Sequence, residues 1–170
     1  DNSRNMIYVA NTGSGTVSAV DIVNNVVTNT TVGGGPYGLA VNETTNRLYV
    51  ANSLSDTVSV IDGSNNTVIA TINVGTTPHY VAVNPTLNRI YVTNYGGNSL
   101  SIIDGAINQV VSTKTGLNQP EGVLANTLNN RIYVADYGAD QVMIYQDSAS
   151  LATATPTSTP SNTPTASNTP

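Results

Sequence analysis

An all-β chain, organised as blades of a β-propeller, is what this sequence predicts, and two regularities predict it. One string recurs four times, as NMIYVAN, NRLYVAN, NRIYVTN and NRIYVAD, with its tyrosines Tyr8, Tyr49, Tyr91 and Tyr133 spaced 41, 42 and 42 residues apart. A companion string, TVSAVD, TVSVID, SLSIID or QVMIYQ, ends 13 residues after each tyrosine, at Asp21, Asp62, Asp104 and Gln146. Spacing this strict requires one structural unit in four copies, and four strands in about 42 residues match a propeller blade.

Taken in order, each element has its own warrant. Between the paired strings lie VVTNTTV and YGLAVN, VIATINV and HYVAVN, VVSTKTG and EGVLAN. Such short runs of Val, Ile, Thr and Tyr, punctuated by Gly, Pro and Asn, form strands. No segment sustains a 3.6-residue apolar period, so no helix of consequence is expected. The Tyr-Val strands are apolar on both faces, as needed where a blade packs between two neighbours. The tyrosine fits that role as a packing residue whose hydroxyl reaches a polar rim. The following loops, NTGSGT, NSLSDT, NYGGNS and DYGADQ, have the composition of tight turns. A register in which Asn52 faces Thr57 also sets Arg47 opposite Asp62, and its counterpart sets Arg89 opposite Asp104. Opposite charges so placed contribute about 0.2–1 kcal/mol and pin the hairpin. The first and last copies lack the pair, having Met6 and Gln146 at the relevant positions.

The 170 residues divide into a repeat domain, 1–151, and a tail, 152–170, reading ATATPTSTPSNTPTASNTP. The tail holds no large apolar side chain, cannot offset its ordering entropy and is expected to be disordered. Ser/Thr-rich sequence with regular Pro is typical of stalks outside the cell, so an extracellular or cell-envelope location is expected. A net charge of −5 argues against nucleic acid as a partner. Zero cysteines exclude disulfides, thiolate metal sites and a Cys nucleophile. No apolar run reaches the length of a transmembrane segment, and no signal-peptide pattern opens the chain.

The Asn-Arg, Tyr-Val-(Ala/Thr)-Asn and Ser-(Val/Ile)-Ile-Asp elements resemble the YVTN family of β-propeller repeats, found in microbial surface-layer and envelope proteins. That family is similar in turn to YncE-type, NHL and gluconolactonase propellers. The resemblance covers residues 5–147 and departs at Met6 and Gln146. It implies that 37–42, 79–84 and 121–126 are inner strands lining a central channel. The Tyr-Val strand comes second, the Asp-ended strand third, and 26–31, 67–73 and 109–114 outermost. Fourteen strands result, four blades of which the outer two are incomplete. The chain is therefore expected to be the C-terminal part of a larger propeller, partnered by missing blades from upstream.

Each inner strand follows a loop ending in proline, Pro36, Pro78 or Pro120, so the next residues, Tyr37, His79 and Glu121, are expected at the channel mouth. His79 is the only histidine and Glu121 one of two glutamates. Together they could form an acid/base or metal pair, or simply be variable rim residues. Asp136 and Asp140 offer Ca²⁺ two carboxylates, short of the usual six to eight oxygens. No phosphate loop, nucleophile elbow or basic aromatic stripe is present. The function expected is a non-catalytic extracellular or cell-envelope scaffold that binds protein or glycan, without cofactor and without an assigned catalytic residue. The alternative is a lactonase- or lyase-like enzyme working at the mouth, which would need several converging His, Asp or Glu.

Overall fold

The computed structural model describes residue 1 and residues 4–147. The Thr/Pro-rich segment, and with it the expectation of disorder, lies outside them. Among the described residues, fourteen strands form four antiparallel meanders. Blade one holds β1 (Met6–Asn11), β2 (Thr16–Asp21) and β3 (Val26–Thr31). Blade two holds β4 (Pro36–Asn42), β5 (Arg47–Asn52), β6 (Thr57–Asp62) and β7 (Thr67–Asn73). Blade three repeats it with β8 (Pro78–Asn84), β9 (Arg89–Asn94), β10 (Ser99–Asp104) and β11 (Gln109–Thr115). Blade four has β12 (Pro120–Asn126), β13 (Arg131–Asp136) and β14 (Gln141–Gln146). The inner strands β4, β8 and β12 start at the prolines, one residue ahead of expectation. A single 3₁₀ turn, Tyr137–Ala139, is the only helical segment among the described residues.

Asparagine closes most of the hairpins. Asn46, Asn88 and Asn130 lead into the Tyr strands with φ of 52°, 49° and 53°, and Asn25, Asn66 and Asn108 do the same for the outer strands. Asn reaches this left-handed region at less cost than other L residues, which explains why the repeat is Asn-rich at those places.

The blades stack face to face through one recurring contact. Tyr49, Ala51, Val58 and Val60 press on Ile90, Val92 and Ile103 of the next blade. Tyr91, Leu100 and Ile102 press on Ile132 and Val134 in the same manner, and Tyr8 and Val17 on Leu48 and Val50. Fully burying each such aliphatic side chain stabilises the fold by about 1.5–3 kcal/mol. The middle blades are sealed on both faces, whereas the end blades are sealed on one.

Arg47 lies opposite Asp62, and Arg89 opposite Asp104, in the strand register. Only the second pair closes, with Arg89 Nη1 2.6 Å from Asp104 Oδ2. Asp62 instead accepts from the Ser64 hydroxyl at 2.6 Å and its amide at 2.8 Å. Arg47 turns to blade three, donating to the Gly105 carbonyl at 3.4 Å and Asn108 Oδ1 at 3.5 Å. The expected Arg47–Asp62 ion pair is thus replaced by a bond between blades. In blade one the register sets Met6 opposite Asp21, and Arg4 supplies the missing guanidinium from two residues upstream. It donates to Asn46 Oδ1 at 2.6 Å and to the Gly63 carbonyl, the counterpart of Gly105. Asn42 to Asn88 (2.9 Å) and Asn84 to Asn130 (3.1 Å) are further bonds between neighbouring blades.

Burial pushes the Tyr49 phenol above its ordinary value. Tyr91 is pushed up further, by burial first and then by donating its hydroxyl to Asp147 Oδ2 at 2.5 Å. The unfolded chain releases these protons above about pH 10, while the folded chain retains them. Stability is therefore complete below about pH 10 and falls as pH rises past it. The urea midpoint is expected to hold steady to about pH 9 and then drop, with a shallower drop in Tyr91→Phe. A wild-type midpoint unchanged to about pH 11 would contradict the burial of these phenols.

Candidate functional site

Tyr37, His79 and Glu121 each follow the first residue of an inner strand, and three local features fix their height. The residue before each proline is left-handed: Gly35 at φ 63°, Thr77 at 52° and Gln119 at 49°. Such a conformation is strained for β-branched Thr77. It is held by the preceding blade, where Asp56 Oδ1 accepts the Thr77 amide at 2.8 Å and Asn98 Oδ1 accepts the Gln119 amide at 2.9 Å. A register shift then follows each proline, between Pro36 and Leu39, Pro78 and Val81, and Pro120 and Val123. The residues it sets free of the ladder are Tyr37 and Gly38, His79 and Tyr80, and Glu121 and Gly122. In blade three the Thr93 hydroxyl satisfies the freed Tyr80 amide at 3.1 Å, a task the alanines of the other copies cannot do.

The inner strands approach very closely here. A methyl group on Gly38 would collide with the His79 carbonyl oxygen and stand 2.8 Å from Tyr80 Cα. Glycine therefore lets the Tyr37 ring meet the next strand. The His79 imidazole lies stacked between Tyr37, at 4.8 Å between ring centroids and 25° between planes, and Tyr95, at 4.6 Å and 14°. Tyr80 meets Tyr37 edge-on at 5.5 Å. The shared hydrogen bond with Tyr37 is the main cause that holds the Tyr80 phenol above its usual range. Glu121 Oε2 approaches His79 Nδ1 to 3.5 Å from the third inner strand. Tyr37 and Tyr80 remain 46% and 37% exposed.

The structure thus brings together the three residues that the repeat position singled out, and adds two. Tyr80 is simply the next residue of the bulge. Tyr95 comes from the NYGGNS loop, whose composition indicated only a turn; its amide donates to the Thr77 carbonyl at 2.9 Å. Glu121 also lines an open cleft of about 420 Å³ with Asp136, Tyr137, Asp140 and Gln141. Asp136 is buried and already accepts from the Asn118 amide at 2.5 Å and Gln141 Nε2 at 2.8 Å. Its role answers that of Asn52 and Asn94, which donate to Ser59 and Ser101 at 2.9 Å. Among the described residues, no three His, Asp or Glu side chains converge as a metal would require. His79 and Glu121 are the two donors at the mouth that a metal or an acid/base reaction could use.

A search of curated proteins finds no match. Several solved structures share the architecture. Hydrazine synthase of Kuenenia stuttgartiensis superposes with a TM-score of 0.66 at 23% identity, over 83% of this chain and 46% of that one. A protein of Desulfotomaculum acetoxidans, described as functionally unknown, gives 0.71 at 13% identity over 84% and 51%. The dihydro-heme d1 dehydrogenase NirN gives 0.64 at 18% identity over 77% and 30%. At these identities the likeness is one of fold, and this chain spans about half or less of each of them. The family model described as YNCE-like beta-propeller matches residues 6–149, the span that holds all four blades and the aromatic cluster. By that match, and by the meanders that bear it out, the chain belongs to the YNCE-like β-propeller family.

Proposed function

We propose that this chain is a non-catalytic binding scaffold, displayed outside the cell or in the cell envelope, whose channel mouth binds a glycan. The observation that carries the reading is the stack of Tyr37, His79 and Tyr95, with Tyr80 edge-on and Glu121 beside the imidazole. Flat rings held in place by packing offer faces to the C–H surface of a sugar, while His79, Glu121 and the phenols offer partners to its hydroxyls. Placement on rigid inner strands keeps the ordering cost of binding low. An exported location is supported by the Thr/Pro-rich composition of 152–170. A protein partner is the other occupant such a rim fits. The approach of Glu121 to His79 favours a second reading, a lactonase- or lyase-like reaction with these two as acid and base.

Titration calorimetry against a panel of neutral and acidic oligosaccharides tests the proposal. Binding is expected in the wild type, weakened about tenfold or more by Tyr37→Ala and by His79→Ala, since each removes a stacking partner. Oligosaccharide affinity unchanged in both variants would refute it. Turnover of a lactone that disappears in both His79→Ala and Glu121→Gln would establish the enzymatic reading instead.

A further inference from the structure

Asn-x-(Ser/Thr), with any residue but proline in the middle, is the acceptor pattern for N-linked glycosylation. It occurs three times in the sequence, at Asn29, Asn42 and Asn65. The structure separates the three. Asn42 is fully buried, with its Nδ2 donating to Asn88 Oδ1 at 2.9 Å and its Oδ1 accepting the Thr44 and Thr45 amides. Asn29 lies within β3, paired in the ladder with Ser18, whose hydroxyl donates to its Oδ1 at 2.7 Å. Asn65 alone stands in a turn, between β6 and β7, and both it and Thr67 are exposed. The Thr67 hydroxyl and amide donate to Asn65 Oδ1 at 2.8 and 3.1 Å, so the hydroxyl and the side-chain amide of the pattern are held side by side. Both bonds engage the oxygen and neither engages Nδ2.

The fold does not require these two residues. Asn66 supplies the left-handed residue of the turn, as Asn25 and Asn108 do in blades one and three. In those blades Asn65 and Thr67 are answered by Asn24 and Val26, and by Ile107 and Gln109. Nor does the exposure of the turn depend on further blades, because blade two has a neighbour packed on each side and the Asn66 carbonyl accepts from the Thr30 hydroxyl of blade one at 2.6 Å. We propose that Asn65 is an N-glycosylation site, a reading that rests on the exported location argued above. The reaction joins Asn65 Nδ2 to C1 of the first sugar of a polyprenyl-pyrophosphate-linked oligosaccharide. The C–N bond forms as the C1–O bond breaks, the lipid pyrophosphate leaves, and the amide gives up one proton. Asp62 faces Arg47, which faces Asn42, whereas Pro36 faces Asn52, so the β6–β7 hairpin is at the end of blade two away from the mouth. The glycan is therefore attached at the far end from Tyr37 and His79.

Incubation of the folded 170-residue chain with a purified single-subunit oligosaccharyltransferase and its polyprenyl-pyrophosphate oligosaccharide tests the proposal. Intact-mass spectrometry is expected to show one oligosaccharide added, and peptide fragmentation to place it on Asn65. Asn65→Gln and Thr67→Val should each abolish the added mass, while Thr67→Ser, which keeps the hydroxyl, should retain it. Blade three has Ile107 and Gln109 at these places, so the variants should fold, and far-UV circular dichroism checks that they do. A synthetic peptide of residues 60–70 shows whether the enzyme accepts the sequence itself. A chain left unmodified overturns the proposal, whether or not the peptide is modified. So does transfer to Asn29 or Asn42, or transfer that survives Asn65→Gln. Location is read separately, by immunogold labelling of cells of the source organism. Label confined to the cell interior overturns the exported location and this proposal with it, whereas label outside the cell with no transfer overturns this proposal alone.

Discussion

Tyr91→Ala is expected to destabilise the chain by about 4 kcal/mol, the upper range for removing a buried aromatic. The ring is wholly buried between blades three and four, packed with Leu100, Ile132 and Val134, and its hydroxyl is bonded to Asp147. Truncation leaves a cavity walled by two sheets whose strands are fixed by their own ladders, so little collapse can refill it. Tyr8→Ala is the matched control. It holds the same repeat position, but blade one has no inner strand among the described residues and its Tyr8 is only half-buried. About 1–2 kcal/mol is expected there. For a chain of this size, each kcal/mol moves the melting temperature by about 2–4 °C, so the two variants should differ by several degrees. Equal losses in calorimetry would mean that stability does not come from blade-on-blade packing.

Gly38→Ala is expected to cost about 1–3 kcal/mol and to abolish binding at the mouth, although it adds one methyl group. The obstacle is the backbone of the next inner strand, the His79 carbonyl and Tyr80 Cα, which cannot rotate away as a side chain tip would. Relief requires blades two and three to part at their inner edge, and that shift draws Tyr37 of blade two off the His79 ring, leaving only Tyr95 of blade three stacked on it. Gly122 is the same repeat position in blade four, where the nearest atom to an added methyl is Ala135 Cβ at 4.0 Å. Gly122→Ala should therefore stay within about 0.5 kcal/mol of wild type. Chemical denaturation compares stability, and oligosaccharide titration compares the site. If both variants prove equally benign, the inner strands are not in backbone contact at Gly38.

The fold was legible because it is written four times. The recurrence of Tyr8, Tyr49, Tyr91 and Tyr133 at intervals of 41, 42 and 42 residues marks the blades, and the fixed interval to the end of the next strand sets the hairpin register. The fate of the charged pairs was not legible, since the register gives Arg47 and Arg89 the same opposite partner. Arg89 closes on Asp104 Oδ2, whereas Arg47 reaches the Gly105 carbonyl and Asn108 of the next blade, and Asp62 Oδ1 accepts from both the hydroxyl and the amide of Ser64. Arg4 escaped notice for a related reason, since it is two residues out of phase with the arginines of the other copies yet reaches the equivalent carbonyl. At the mouth, repeat arithmetic aligned Tyr37, His79 and Glu121. It had no means of adding Tyr95, which comes from a turn and reaches the imidazole by folding over it.

In blades three and four the left-handed residue before the proline is tied down through its backbone amide by a side chain of the preceding blade, Asp56 for Thr77 and Asn98 for Gln119. Neither bond involves the side chain displayed just after the proline. Frame and display are thus chemically independent: tyrosine, histidine and glutamate occupy equivalent sockets without disturbing the strand that holds them. A new recognition surface could be written at 37, 79 and 121 by exchanging three side chains, with each blade serving as a cassette whose wiring does not pass through the side chains on display.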